Sequence, residues 1–226
     1  MSGAGATSGE LVHLVREPAG EAAGALVLNH GRGADERDLY GLLEALDPER
    51  RLLGVTTGAP LTGVPPGGRH WYLVPRVGYP DPVTFTGSYK QLTGFLDALL
   101  AQRGIAWERT VIGGFSMGAV MSYAVGLGPR RPSPAAILAF SGFVPTVEGW
   151  SPALDDRGGL PVLIHHGRND PVIGVEFARR ARELLAGAGL EVEYLESDAG
   201  HWLPPEALAP AVALVATATA PASKPA

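Results

Sequence analysis

The segment Gly114-Phe115-Ser116-Met117-Gly118 constrains this chain more than any other. Before it runs an apolar, β-prone stretch, Thr110-Val111-Ile112-Gly113, and after it a helix-compatible one, Ala119 to Val125. A Gly-x-Ser-x-Gly bent between a strand and a helix is the pattern of a serine held on a strained turn with its hydroxyl exposed for attack. Side chains two residues to either side would collide with the tightly packed strand and helix, which explains both glycines. In a chain with 31 glycines so short a pattern also arises by chance, and a Gly-rich turn with an incidental serine is the bland alternative. The surroundings have to decide.

They consist of alternating strands and helices. Strands are expected at 11–16, 25–29, 51–55, 110–115, 135–141, 161–165 and 191–197, and helices at 35–46, 86–102, 117–126, 174–186 and 205–216. Within 86–102 and just before it, Phe85, Tyr89, Leu92, Phe95, Leu96 and Leu99 recur at helical spacing and read as core. Central strands such as Val162-Leu163-Ile164 are wholly apolar, as in a parallel sheet covered on both faces. This is an open α/β sheet, whose ligands bind beyond the carboxyl ends of the strands. One domain is expected over residues 11–218, with loose ends at 1–10 and 219–226 and no internal repeat.

Composition removes several function classes. A net charge of −5, with six of the basic residues in three scattered Arg pairs, gives no footprint for nucleic acid or an anionic membrane. With no cysteine there is no disulfide, thiolate metal site or Cys nucleophile. No apolar run is long enough to span a bilayer, and the first residues lack the pattern of a signal peptide, so a cytoplasmic location is expected.

A serine hydroxyl is nearly inert at neutral pH and needs a base, which needs an orienting carboxylate. The strand Pro161–His165 runs into a polar loop carrying Asp170, and the next strand runs into Asp198-Ala199-Gly200-His201. Both residues fall at the edge of the sheet where Ser116 is expected, in the order Ser, Asp, His of the α/β-hydrolase scaffold. Asp198 is too near His201 in sequence to be its partner and suits a turn, while Asp155 and Asp156 read as solvated. For the oxyanion, the turn His30-Gly31-Arg32-Gly33 after an apolar strand can aim the Arg32 amide at the site, and Met117 offers a second amide. The same turn reads equally as an ordinary Gly-rich turn with Asp35 capping a helix.

The ordered motifs HGRGAD, RHWYLVP, GGFSMG, HGRNDPVI and AGHW resemble the phospholipase/carboxylesterase family of small α/β-hydrolases, which includes acyl-protein thioesterases. The resemblance runs from about Leu26 to His201. It implies ester hydrolysis without a cofactor, with Ser116, Asp170 and His201 in the triad positions and Arg32 and Met117 as oxyanion donors. Many relatives carry Gln after the serine; Met117 keeps the backbone N–H but makes the adjoining pocket more apolar, which fits a general carboxylesterase.

Trp71-Tyr72 matches an aromatic pair near the acyl pocket of that family, and suits core packing equally. Val172, Ile173 and Trp202 are further candidates to line the pocket, and the Pro/Gly-rich segment 58–82 to border its entrance. His165 and His166 read as structural, one of them bracing the acid loop, and His13 and His70 receive no role. No metal site is expected. Only a short loop, 142–160, stands where large-lid hydrolases insert a cap, so a shallow site for short or medium esters follows. The expected activity is a serine carboxylesterase acting on a small-molecule ester, as a monomer or homodimer. Lysophospholipase or acyl-protein thioesterase activity, a lactone hydrolase and a peptidase share the chemistry; a non-catalytic ligand-binding module is the alternative from another class.

Overall fold

A computed structural model describes residues 11–220. Its elements run β1 (His13–Arg16), β2 (Gly24–Asn29), α1 (Tyr40–Leu46), β3 (Leu52–Thr57), α2 (Pro82–Gln102), β4 (Thr110–Phe115), α3 (Met117–Gly126), β5 (Ala136–Phe140), β6 (Pro161–Gly167), α4 (Glu176–Gly187), β7 (Glu191–Ser197) and α5 (Leu208–Ala218). The strands form one sheet in the order β1-β3-β2-β4-β5-β6-β7. Only β1 is antiparallel to its neighbour; all other pairings are parallel. This is the α/β-hydrolase arrangement, with helices on both faces and no large cap.

Strand order reverses between β2 and β4. From β2 the chain builds outward through β3 to β1's side, and from β4 it builds the other way to β7. The loops after β2 and β4 therefore leave in opposite directions and open a crevice between them, the usual ligand position in such sheets. The loop after β2 carries His30 to Gly33, and the turn after β4 carries Ser116.

Because side chains alternate along a strand, β2 feeds two cores. Ala25 and Val27 join the cluster under α2, α3 and α4, whereas Leu26 and Leu28 join the one under α1 and α5. Every residue of α3 is buried, which explains a segment apolar all round. A buried polar chain ties this helix to the sheet: Thr57 Oγ1 donates to Asn29 Oδ1 (2.6 Å), Asn29 Nδ2 to Ser122 Oγ (2.9 Å), and Ser122 Oγ to the Gly118 carbonyl (2.8 Å).

The element bounds depart from expectation in two instructive places. The helix expected from Asp35 begins only at Tyr40; residues 35–39 are turns, with Asp35 Oδ1 accepting the Arg37 amide at 2.8 Å. That side chain satisfies the local backbone without a helix. Helix α2 starts earlier than expected, at Pro82, because Asp81 caps it: its Oδ1 accepts the Thr84 amide (2.9 Å) and the Thr84 hydroxyl (2.6 Å). Residues 1–10 and 221–226 lie outside the described part. Thr219, at the start of the expected tail, is buried and donates its hydroxyl to the Val215 carbonyl.

Candidate active site

Ser116 follows the last residue of β4 at φ 55° and ψ −120°, a conformation rarely adopted by a residue with a side chain. The turn is held by the Ser116 amide donating to the Phe140 carbonyl (2.8 Å) and by the Ser116 carbonyl accepting the Ala119 and Val120 amides. A β-carbon at Gly118 would overlap the Asn29 carbonyl, and one at Gly114 would overlap both that oxygen and the Gly118 backbone. Strand, turn and helix thus approach more closely than any other residue permits.

The other two strand-end loops meet beside it. Gly167 ends β6, and a β-carbon there would overlap the carbonyls of Ala199 and Gly200, so the loops after β6 and β7 pack backbone against backbone. Arg168 and Asn169 donate their amides to the carbonyls of Ser197 (2.8 Å) and Ala199 (3.1 Å), and Asn169 Nδ2 donates to the Asp198 carbonyl (2.8 Å). Asp198 itself pairs with Arg168 at 2.6 Å. The result is a continuous relay. His201 Nε2 lies 2.9 Å from Ser116 Oγ, and His201 Nδ1 lies 2.6 Å from Asp170 Oδ2. Asp170 Oδ1 accepts the amides of Val172 (2.8 Å) and Ile173 (2.9 Å), and its carboxylate is fully out of solvent. The Phe115 ring sits against the imidazole of His201, 4.9 Å between centroids.

On the far side of Ser116 the loop after β2 is fixed by its histidine. His30 Nδ1 donates to the Gly31 carbonyl (2.7 Å) and Nε2 accepts the Ala59 amide (3.0 Å), so the ring is neutral, as its burial also requires. Trp71 Nε1 donates to the His30 carbonyl (3.0 Å), and the Trp71 amide donates to Met117 Sδ (3.2 Å). Gly31 lies against Phe115 and the Ser116 side chain. The amides of Arg32 and Met117 donate to no protein acceptor among the described residues, and Met117 is the first residue of α3, where an N–H has no acceptor within the helix.

A cavity of about 320 Å³ opens above Ser116 and His201. Of the residues expected to line it, Tyr72, Val172 and Ile173 do, along with Arg32 and Met117. Trp71 does not: it is fully buried and braces the loop after β2 instead. Trp202 is also absent from the lining and points largely to solvent. Segment 58–82 borders the entrance as expected, supplying Val74, Arg76, Val77, Gly78 and Pro80 besides Tyr72. Sequence reasoning missed Asp38, which reaches the cavity because residues 35–39 are turns, and Phe143. Phe143 follows β5, so the rule applied to the other strand ends would have found it. Among the described residues, no group of three or more His, Cys, Asp or Glu side chains is arranged to hold a metal ion. Among the described residues, no helix is long and apolar enough to cross a membrane.

Comparison with known proteins agrees with this architecture. The chain is 27% identical over 184 residues to the putative hydrolase MhqD of Bacillus subtilis, covering 81% of this chain and 88% of that one. It is 34% identical over 109 residues to acyl-protein thioesterase 1 of Gibberella zeae, 46% of each chain. Among solved structures, esterase PE8 superposes with a TM-score of 0.79 at 29% identity, covering 92% of this chain and 99% of that one. The Bacillus cereus carboxylesterase shares the fold with a TM-score of 0.78 at 22% identity, over 92% and 94% of the two chains. The family profile described as Phospholipase/Carboxylesterase matches residues 12–216, nearly the whole described chain, and the protein belongs to that family of serine hydrolases.

Proposed function

We propose that this protein is a cofactor-independent serine carboxylesterase acting on short- to medium-chain carboxylic esters, with Ser116, His201 and Asp170 as its catalytic triad. The observation that carries the reading is the unbroken Ser116–His201–Asp170 relay, at 2.9 and 2.6 Å, opening into a largely apolar cavity. Ser116 Oγ attacks the ester carbonyl carbon as His201 Nε2 takes its proton. Asp170, accepting from Nδ1–H, holds the imidazole in the tautomer that leaves Nε2 free, and stabilises the imidazolium. The developing oxyanion is met by the unpaired amides of Arg32 and Met117. Collapse breaks the C–O bond, and the leaving alcohol receives the proton from His201. A water molecule, deprotonated by the same nitrogen, then releases the acid from the acyl-enzyme and restores Ser116.

A cavity of about 320 Å³, at the lower end of small-ligand sites, suits a short or medium acyl group better than a long chain. The test is an acyl series of p-nitrophenyl esters from acetate to palmitate, with a palmitoyl-thioester peptide, a lysophospholipid and a lactone alongside. A stoichiometric burst of p-nitrophenol with acetate or butyrate, and kcat/KM falling toward palmitate, is the expected result. No burst, or a preference for the thioester peptide or lysophospholipid, would overturn it. Since His201 acts as base only when unprotonated, kcat/KM is expected to fall on acidification.

A further inference from the structure

Just before its final glycine, strand β6 carries two adjacent histidines that alternate across the sheet. His165 Nε2 meets Ser197 Oγ on β7 at 3.0 Å, on the face away from the catalytic acid. His166 turns the other way and is fully buried. Its Nε2 lies 2.7 Å from the Ile173 carbonyl oxygen and 3.4 Å from Asp170 Oδ2. A carbonyl only accepts, so Nε2 carries the proton and Nδ1 the lone pair. That Nδ1 is buried with no partner, so a second proton there would be a buried donor without an acceptor. Burial correspondingly pushes the ring below the ordinary histidine value.

These contacts close a small ring around the acid. Asp170 Oδ1 accepts the Ile173 amide, the Ile173 carbonyl accepts from His166, and the His166 ring edge stands 3.4 Å from Asp170 Oδ2. Oδ2 is also the oxygen that receives Nδ1–H of His201. We propose that His166 is a positioning residue for the reaction: its Nε2–H, donated to the Ile173 carbonyl, fixes the loop whose amide holds Asp170 Oδ1, and its polar edge 3.4 Å from Oδ2 tempers the negative charge of the carboxylate, so that His166 governs how well Asp170 orients and charges His201. The inference rests on the triad reading above. Around this cluster the ionisable groups are Asp170, His201, the neighbouring His165 and, from the start of α4, Glu176.

The test compares His166→Leu, which removes the donor, with His166→Gln, whose side-chain amide returns an N–H near the position of Nε2. Each is measured for kcat and KM on p-nitrophenyl acetate, for kcat/KM from pH 5 to 9, and for Tm. His166→Leu is expected to lower kcat by about 10- to 100-fold, as for partners that orient an active-site group, with KM changed less than about threefold. With the polar Nε2–H gone from beside Asp170 Oδ2, the carboxylate attracts the proton on His201 more strongly, so the acid limb of the profile moves to higher pH. His166→Gln is expected to restore most of kcat and return the limb toward its original place. The proposal falls if His166→Leu keeps its kcat and its limb. It also falls if the loss follows a fall in Tm and His166→Gln does not rescue it. Asp170→Asn separates the two levels: an unaffected rate there removes the triad reading itself, whereas a large loss there beside an unaffected His166→Leu removes only the role of His166.

Discussion

The turns at the carboxyl edge of the sheet and the segment from Gly58 to Asp81 border the same cavity, yet they are built by opposite means. The turns after β4, β6 and β7 are held by close backbone approach that leaves no room for a β-carbon at Gly114, Gly118 or Gly167, and the turn after β2 is pinned by the His30 ring. Segment 58–81 contains neither a helix nor a ladder. It folds on isolated bridges between Leu61 and His70 and between Arg76 and Tyr79, with one indole, Trp71, sunk into the core. His70, given no role from the sequence, closes this segment locally, its Nε2 lying 2.9 Å from the Gly67 carbonyl. On the proposed mechanism the turns carry groups that must hold a position to a fraction of an ångström for proton transfer. The segment carries apolar surface, where packing tolerates variation. That mechanism therefore makes chemistry and selectivity separable, and substitutions on the two sides are expected to behave differently.

The largest effect is expected from Ser116→Ala, which leaves the cavity intact: kcat on p-nitrophenyl acetate should fall by at least about 10⁴-fold and fluorophosphonate labelling should vanish, with Tm little changed. Turnover that survives would remove the serine from the mechanism. Gly118→Ala tests whether the elbow depends on close backbone approach. With the new methyl group driven into the Asn29 carbonyl, a loss of about 3 kcal/mol of stability is expected in urea unfolding. An unchanged midpoint would mean that α3 shifts freely.

Acidification probes the same rigid side. His30, His165 and His166 are all held below the ordinary histidine value, chiefly by burial. Their folded forms refuse a proton that the unfolded chain accepts, so stability is complete above roughly pH 6.5 and declines below it, by up to about 1.4 kcal/mol per pH unit for each ring. A Tm that stays level from pH 7 to 5 would contradict this. Trp71→Phe leaves an aromatic ring in the core but deletes the N–H to the His30 carbonyl and part of the buried indole. A loss of about 2 kcal/mol in stability, with a several-fold drop in kcat, would show that the segment reaches the chemistry through this one anchor. The smallest effect is expected at Val77, partly exposed on the cavity wall. Removing its methyl groups in Val77→Ala is worth under about 1 kcal/mol, a few-fold change in the butyrate-to-acetate ratio of kcat/KM with kcat for acetate preserved. If kcat for acetate fell as well, the separation between turns and segment would not hold.

Much of this was legible from the residues in order. Strand and helix alternation, the Gly-flanked serine and the polar loops after Leu163-Ile164 and Tyr194-Leu195 follow from rules acting over a few neighbouring residues, and parallel strands oblige those loops to share one edge. Other features depended on contacts between segments far apart in the chain. Trp71 and Tyr72 are adjacent, yet one enters the core beneath His30 and the other lines the cavity, because an irregular segment has no period to assign its faces. Asp38 reaches the cavity only because Asp35 satisfies the backbone as a turn rather than as a helix cap. The sequence alone determined which groups would stand at the edge of the sheet, since local pattern and strand direction dictate that. Only the tertiary structure decided which side chains wall the cavity, and that His166 rather than His165 stands behind Asp170, since both depend on how distant loops pack once the sheet has formed.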